Sequence, residues 1–257
     1  MSLVKHPAKY ADVLLPVMAE WLQGCERVLD PFGGVGKLVQ IAPNAYLNEL
    51  EPEWAQQCYM GSRRTTIADA RKLPYPDAVF DAVCTSPTWG NRMADHHDAK
   101  EKCSRCKGIG MVYEVYVQGM ENYNPSYKPC YKCGCTGYRS YKRNTYRHLI
   151  GRPLHQSNSG KMQWGDDYRR LHLLAWAEVW RVLKPGGWFI LNISNHIRKG
   201  NEIEVTEWHE HQLAIRGFEK MDHKHIKAPR QRQGANRQLR VDYESLILFQ
   251  KPIPYII

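Results

Sequence analysis

The sequence predicts an α/β protein whose mostly parallel sheet is interrupted by a small, metal-stapled insertion. Three observations carry this. Short apolar or β-branched runs alternate with helical or loop stretches at both ends of the 257-residue chain, the rhythm of βα units. The middle, roughly 91–170, loses that rhythm and is rich in Tyr, Lys, Gly and Cys. A glycine-rich turn directly follows the first run, where open α/β sheets take their ligands.

The runs at 27–32, 45–50, 65–69 and 80–87 read as the first four strands. A helix over 171–183 follows from Leu173, Trp176, Ala177, Trp180 and Leu183 at helical spacing, with Asp166 or Asp167 as its cap. Lys184-Pro185-Gly186-Gly187 stops it, and a strand over 188–193 begins at once. Stretches 224–226 and 243–249 read as two more strands joined by a basic loop with Gly234-Ala235-Asn236 at its tip. The expected organisation is a core over 1–98 and 166–257, with an insertion over 99–165. Cys25, Cys58 and Cys84 fall in helix or strand context and are expected in the core.

The composition, 43% hydrophobic and 24% charged, excludes disorder, collagen and a disulfide miniprotein. No run approaches the ~18 apolar residues of a membrane helix, and the first residues lack a signal peptide's apolar block. A cytosolic protein is expected. The net charge is +10, and residues 100–170 alone hold 14 Lys and Arg against 5 Asp and Glu. So localised an excess points to a polyanionic partner, because phosphate neutralisation releases counterions. Lys220, Lys224, Lys227, Arg230, Arg232, Arg237 and Arg240 form a second basic cluster.

Asp30-Pro31-Phe32-Gly33-Gly34-Val35-Gly36 sets an acid and glycines after the first strand. It is not a phosphate loop, because Gly36-Lys37-Leu38 lacks the hydroxyl that would hold magnesium. An acid ahead of the glycines suits a ligand with a cationic or hydroxylated part.

These residues resemble the first motif of S-adenosylmethionine-dependent methyltransferases, and two later segments extend the resemblance. Glu49 sits where that family places an acid on the ribose hydroxyls, with Glu51 as a rival, and Asp69-Ala70 looks like its adenine-contacting motif. His6-Pro7-Ala8-Lys9-Tyr10, followed by a helix-like stretch to Leu22, looks like the segment that packs on the methionine part. The resemblance covers 1–98 and 171–257 and implies a Rossmann-like class I fold with a mostly parallel seven-stranded sheet. It also implies S-adenosyl-L-methionine as cofactor, held by His6, Pro7, Asp30, Pro31, Phe32, Gly33, Gly34, Gly36, Glu49, Asp69 and Ala70.

Thr85-Ser86-Pro87-Thr88-Trp89-Gly90 resembles the catalytic motif of the members that methylate exocyclic amino nitrogens of DNA. Such an amine is a poor nucleophile because its lone pair is delocalised into the ring. Acceptors at the Ser86 hydroxyl and the Pro87 carbonyl favour the tetrahedral geometry that attacks a methyl group in line. Trp89 stacks on the target base, which must be flipped out of the duplex. The resemblance thus implies catalytic roles for Ser86, Pro87 and Trp89. Thr88 departs from the motif, where a second proline is usual, and its loss removes a constraint on φ. Serine at the first position leans slightly to N4 of cytosine over N6 of adenine. His96 and His97 follow the loop, but amino-methyl transfer needs neither a metal nor a base there.

Cys103-Ser-Arg-Cys106 and Cys130-Tyr-Lys-Cys133, with 23 residues between them, suit one tetrahedral structural Zn²⁺. Cys135 can substitute for one thiolate, and His96, His97 and His148 are weaker spares. The knuckles are similar to the cysteine-rich repeats of J-domain co-chaperones, except that Cys135 stands where the second repeat's first glycine belongs. Lys102, Arg105, Lys107, Lys132, Arg139, Lys142 and Arg143 are the expected phosphate contacts, interleaved with Tyr138, Tyr141 and Tyr146. Double-stranded DNA is therefore the expected partner. RNA or a protein amide is the alternative substrate, and a zinc-bearing nucleic-acid-binding protein with an inactive methyltransferase fold is the alternative class.

Overall fold

A computed structural model describes residues 10–91, 98–113, 127–142, 150, 152–228 and 239–254. Contacts divide the chain into two compact units, Asp95–Thr145 and the remainder. His6, Pro7, His96, His97, Arg143, Tyr146, His148, Arg230, Arg232, Arg237 and the tip at 234–236 lie outside the described residues.

In chain order, the larger unit opens with α1 (Leu15–Trp21), β1 (Val28–Asp30), β2 (Tyr46–Glu49), α2 (Pro52–Gly61), β3 (Thr65–Ile67) and β4 (Phe80–Thr85). The smaller unit holds β5 (Asp98–Lys102), β6 (Met111–Tyr113), β7 (Tyr127–Pro129) and β8 (Tyr138–Lys142). The larger unit resumes with α3 (Asp166–Val182), β9 (Leu183–Ile193), β10 (His196–Arg198), β11 (Asn201–Ile203), α4 (Val205–Arg216), β12 (Glu219–Lys227) and β13 (Tyr243–Gln250).

Seven strands form one sheet in the order β12-β13-β9-β4-β1-β2-β3. Only β13 runs against its neighbours, pairing antiparallel with both β9 and β12. Successive residues of β4 and β9 face opposite sides, as the two-residue period requires. Val83, Phe189 and Leu191 join a cluster with Trp176, Val179, Leu213 and Phe218. Ala82, Cys84 and Ile190 join Leu14, Met18, Leu38 and Cys58. Both faces being covered, the central strands are almost wholly apolar, which is why they were legible as short hydrophobic runs. The strand order reverses between β1 and β4, and the carboxyl ends of β1, β2 and β4 meet there.

Several local expectations need correction. The N-cap of α3 is Gly165, without a side-chain cap, and Asp166 and Asp167 occupy its first turn, where they complement the helix dipole. Its buried face is Tyr168, Leu171, His172, Ala175, Trp176, Val179 and Val182, so Leu173 is exposed and Ala177 and Trp180 are only half-buried. The expected stripe was rotated because two polar rings, Tyr168 and His172, belong to the core. Lys184-Pro185-Gly186-Gly187 ends α3 but lies within β9: Leu183 pairs with Phe80, the turn bulges at Gly186 (φ +78°), and Trp188 resumes opposite Ala82. β12 exceeds the expected 224–226 because it is a charged edge strand with weak apolar alternation. Cys58 and Cys84 are buried, but Cys25 is half-buried in the turn before β1.

In the smaller unit, β5 pairs with β8 and β6 with β7, both antiparallel. Among the described residues, no helix is long and apolar enough to cross a membrane.

Candidate active site and metal centre

The four carboxyl ends bring Asp30, Glu49, Asp69 and Ser86 to one edge of the sheet, and each group's hydrogen bonds limit what it can still bind. Asp30 is 1% exposed. Its Oδ1 accepts from the Thr85 hydroxyl at 2.6 Å and the Phe32 amide at 3.0 Å, and its Oδ2 accepts from the Tyr10 hydroxyl at 2.8 Å. Burial pushes its pKa up to about 6 against those hydrogen bonds. Asp30 thereby ties the glycine turn to β4 and to the residue ahead of α1. Gly33 presses on β2, since a Cβ there would sit 3.2 Å from the Asn48 carbonyl.

Glu49 receives three backbone amides: Gly34 at 2.7 Å on Oε2, and Leu50 and Glu51 at 2.9 and 3.0 Å on Oε1. A carboxylate offers about four acceptor directions, so one remains. Burial raises Glu49 to about 7 despite these donors. Its rival Glu51 is fully enclosed: Oε1 accepts from the His155 amide at 2.8 Å and Asn158 Nδ2 at 2.9 Å, and Oε2 lies 2.8 Å from Arg152. Asp69 is clasped by Arg71, whose Nε and Nη2 donate at 2.9 and 2.6 Å. Burial raises the Asp69 pKa, but the Arg71 hydrogen bonds outweigh it and hold the carboxyl below its usual value. Ala70 is buried beside it.

Sequence reasoning missed the 152–158 segment that reaches these acids. Arg152 also forks onto Glu53, and Ser157 Oγ accepts from Arg71 Nη2 at 2.6 Å. Leu154 packs with Trp54 and Val35. No periodicity marks this stretch; its only signal was the run of Arg, His, Ser and Asn.

Residues 86–91 leave β4 as a loop held at several points. The Ser86 hydroxyl donates to Asn192 Oδ1 at 2.7 Å, so the Ser86 oxygen is left as an acceptor. Pro87 is buried, and Trp89 is half-buried against the main core cluster. The Thr88 carbonyl accepts from the Tyr168 hydroxyl at 2.8 Å, and the Gly90 carbonyl from the Trp164 amide at 2.6 Å. Asn192, a polar interruption in the apolar run of β9, was the one legible sign of this support.

In the smaller unit, Sγ atoms of Cys103, Cys106, Cys130 and Cys133 all lie within 4.8 Å of one another. The 103–130 and 106–133 separations are 3.8 and 3.7 Å. Sulfurs about 2.3 Å from one tetrahedral zinc are about 3.8 Å apart, so this donor set fits Zn²⁺. The Cys106 amide, first among the groups facing Cys103, helps hold that thiol down to about 6. The knuckles interlock reciprocally: the Cys103 amide donates to the Gly137 carbonyl and the Cys130 amide to the Gly110 carbonyl, each at 2.9 Å. A Cβ at Gly110 would fall 2.2 Å from the Cys135 carbonyl oxygen. Cys135 is exposed and stands outside the four-sulfur group.

Lys102, Arg105, Lys107 and Lys132 are exposed. Arg105 lies over the Tyr131 ring, 4.2 Å from its centroid, and hydrogen-bonds its hydroxyl. Tyr113, Tyr127, Tyr131 and Tyr138 are 51, 60, 76 and 42% exposed, so their rings are not the unit's core.

No protein-family model matches the sequence, and no curated protein matches it. Solved structures match in fold. The [4+2]-cyclase SpnF is 16% identical over 94% of this chain and 81% of its own, with a TM-score of 0.51. A SAM-dependent methyltransferase from Methanosarcina mazei is 11% identical over 93% of this chain and 98% of its own, with a TM-score of 0.50. The larger unit thus has the class I, Rossmann-like methyltransferase fold, with the mostly parallel seven-stranded sheet expected. A cyclase on the same fold shows that the fold does not fix the reaction.

Proposed function

We propose that this protein is an S-adenosylmethionine-dependent methyltransferase acting on an exocyclic amino nitrogen of a DNA base, with N4 of cytosine slightly favoured over N6 of adenine. The observation that carries the reading is the Ser86-Pro87-Thr88-Trp89 loop at the end of β4, with the Ser86 hydrogen committed to Asn192. That commitment leaves the Ser86 oxygen as an acceptor, which with the Pro87 carbonyl would meet the two hydrogens of an amine, the polarity this chemistry needs.

The residues at the crevice fit the cofactor. Glu49 keeps one acceptor direction for a ribose hydroxyl and some exposure, whereas Glu51 is fully buried behind Arg152, His155 and Asn158, which favours Glu49. Gly33, Gly34 and Gly36 keep the turn free of side chains, Pro31 and Phe32 shape its entry, and Asp30 fixes it from below. Asp69 and Ala70 serve the adenine end, and His6 and Pro7 the methionine end. When bound, S-adenosylmethionine supplies a sulfonium methyl carbon that takes the amine lone pair while sulfur keeps the bonding pair, and the amine proton leaves to water. Trp89 stacks on the flipped base.

The four-cysteine centre holds structural zinc, and its unit serves target recognition. Lys102, Arg105, Lys107, Lys132, Arg139, Lys142 and Arg143 contact phosphates, and the exposed tyrosines supply stacking surfaces. Nucleoside mass spectrometry after incubating unmethylated DNA with protein, Zn²⁺ and S-adenosylmethionine tests the reading, with RNA in parallel. N4-methylcytosine or N6-methyladenine in DNA is the expected product. Methylated nucleosides in RNA alone would move the substrate to RNA. None in either polymer despite cofactor binding would point to a protein amide, and no cofactor binding to an inactive scaffold.

A further inference from the structure

We propose that Tyr168 and His209 are positioning residues for methyl transfer, holding the Thr88 carbonyl in place of the rigidity a second proline would give the loop. This rests on the function proposed above.

The hydrogen-bond chain has a fixed direction. Trp176 Nε1 donates to His209 Nδ1 at 2.9 Å, and an indole can only donate. Nδ1 is therefore the unprotonated nitrogen, and neutral His209 carries its hydrogen on Nε2. That nitrogen lies 3.0 Å from the Tyr168 hydroxyl, which accepts from it and is left to donate its own hydrogen to the Thr88 carbonyl at 2.8 Å. Tyr168, Trp176 and His209 are at most 1% exposed, and burial keeps His209 neutral by pulling its pKa well below the usual value. In a dry setting each donor polarises the next.

Thr88 stands where the resembled motif has its second proline. Proline would lock φ near −65°, whereas threonine leaves that rotation free, and with it the orientations of the Pro87 carbonyl and the Trp89 ring. Fixing the Thr88 carbonyl fixes the peptide plane that leads into Trp89. The flanking anchors at Ser86 and Gly90 belong to β9 and to the residues before α3. Among these three anchors, the one at Thr88 draws on α3 through Tyr168 and on α4 through His209, which gives two of the polar rings buried in these helices a role.

The test compares wild type, Tyr168→Phe and Tyr168→Phe combined with Thr88→Pro. Tyr168→Phe is expected to lower kcat for DNA methylation about tenfold or more, the cost of a lost positioning contact, with cofactor affinity within about twofold. Adding Thr88→Pro is expected to recover most of the lost kcat, because proline restores the constraint by another route. Unchanged kcat in Tyr168→Phe, or a loss that proline does not rescue, would overturn the proposal. Histidine ¹⁵N chemical shifts of the wild-type protein should show His209 protonated at Nε2, and the opposite tautomer would also overturn it. If wild type methylates neither DNA nor RNA, the proposed reaction fails. The positioning role is then judged by Trp89 amide exchange, which Tyr168→Phe should accelerate and Thr88→Pro slow again. Unaltered exchange would overturn it.

Discussion

If Glu49 takes the ribose as proposed, cofactor binding should release a proton near neutral pH. Burial holds its carboxyl at about 7, against an ordinary 4.5, so ionising it in place costs about 3 kcal/mol more than in the unfolded chain. The sign follows from the raised value: the contribution to cofactor-free stability is full below about 4.5 and is lost as pH rises through about 7. A ribose hydroxyl on the remaining acceptor direction favours the charged form and lowers the pKa in the complex. Affinity for S-adenosylmethionine should therefore be flat above pH 7 and fall about tenfold per pH unit below it.

If binding restores an ordinary carboxylate pKa, about 0.9 proton leaves Glu49 per cofactor bound at pH 6 and about 0.1 at pH 8. Calorimetry in two buffers of different ionisation enthalpy counts those protons. Glu49→Gln provides the reference, because the ligand's own amine titrates identically in both proteins. Asp30 is distinguishable, since its value of about 6 would start a second slope one unit lower, and its oxygens are already engaged by Tyr10, Thr85 and Phe32. Equal proton release at pH 6 in wild type and Glu49→Gln, or wild-type affinity unchanged between pH 6 and 8, would refute Glu49 as the ribose acceptor.

Metal analysis should find one zinc per chain, lost in Cys130→Ser, and amide exchange across 98–113 and 127–142 should rise sharply, because a structural zinc site contributes on the order of 10 kcal/mol. Cys135→Gly should keep the zinc and raise thermal stability. The residue holds φ +66°, where a side chain costs roughly 1–2 kcal/mol, more than the added chain entropy of about 0.5–1 kcal/mol; zinc loss in this variant would make Cys135 a ligand. Trp89→Ala should lower turnover by about one to two orders of magnitude, as stacking worth ~1–3 kcal/mol implies, with cofactor affinity nearly unchanged in a binding titration. Unchanged turnover would remove base stacking from the mechanism.

What was legible in the sequence is what local chemistry dictates. β1 and β4 bury both faces and read as mainly apolar runs, and the glycine turn reads from its own residues. The zinc knuckles were legible because four ligands at CxxC spacing need no tertiary context to be recognised. The supports of the loop were not, because each joins residues far apart in the chain: Ser86 to Asn192, Thr88 to Tyr168, and Trp176 to His209. The same cause rotated the expected face of α3 and left α4 without a prediction. A core helix that buries Tyr168 and His172, or one that buries Thr206 and His209, breaks the hydrophobic period that would reveal it. Tyr168 and His209 weaken that signal and also form the chain that reaches the Thr88 carbonyl, so at these two residues the lapse in the pattern and the support of the loop have one origin. A periodicity that skips onto Tyr, His or Asn is therefore a reason to look for the loop those residues hold.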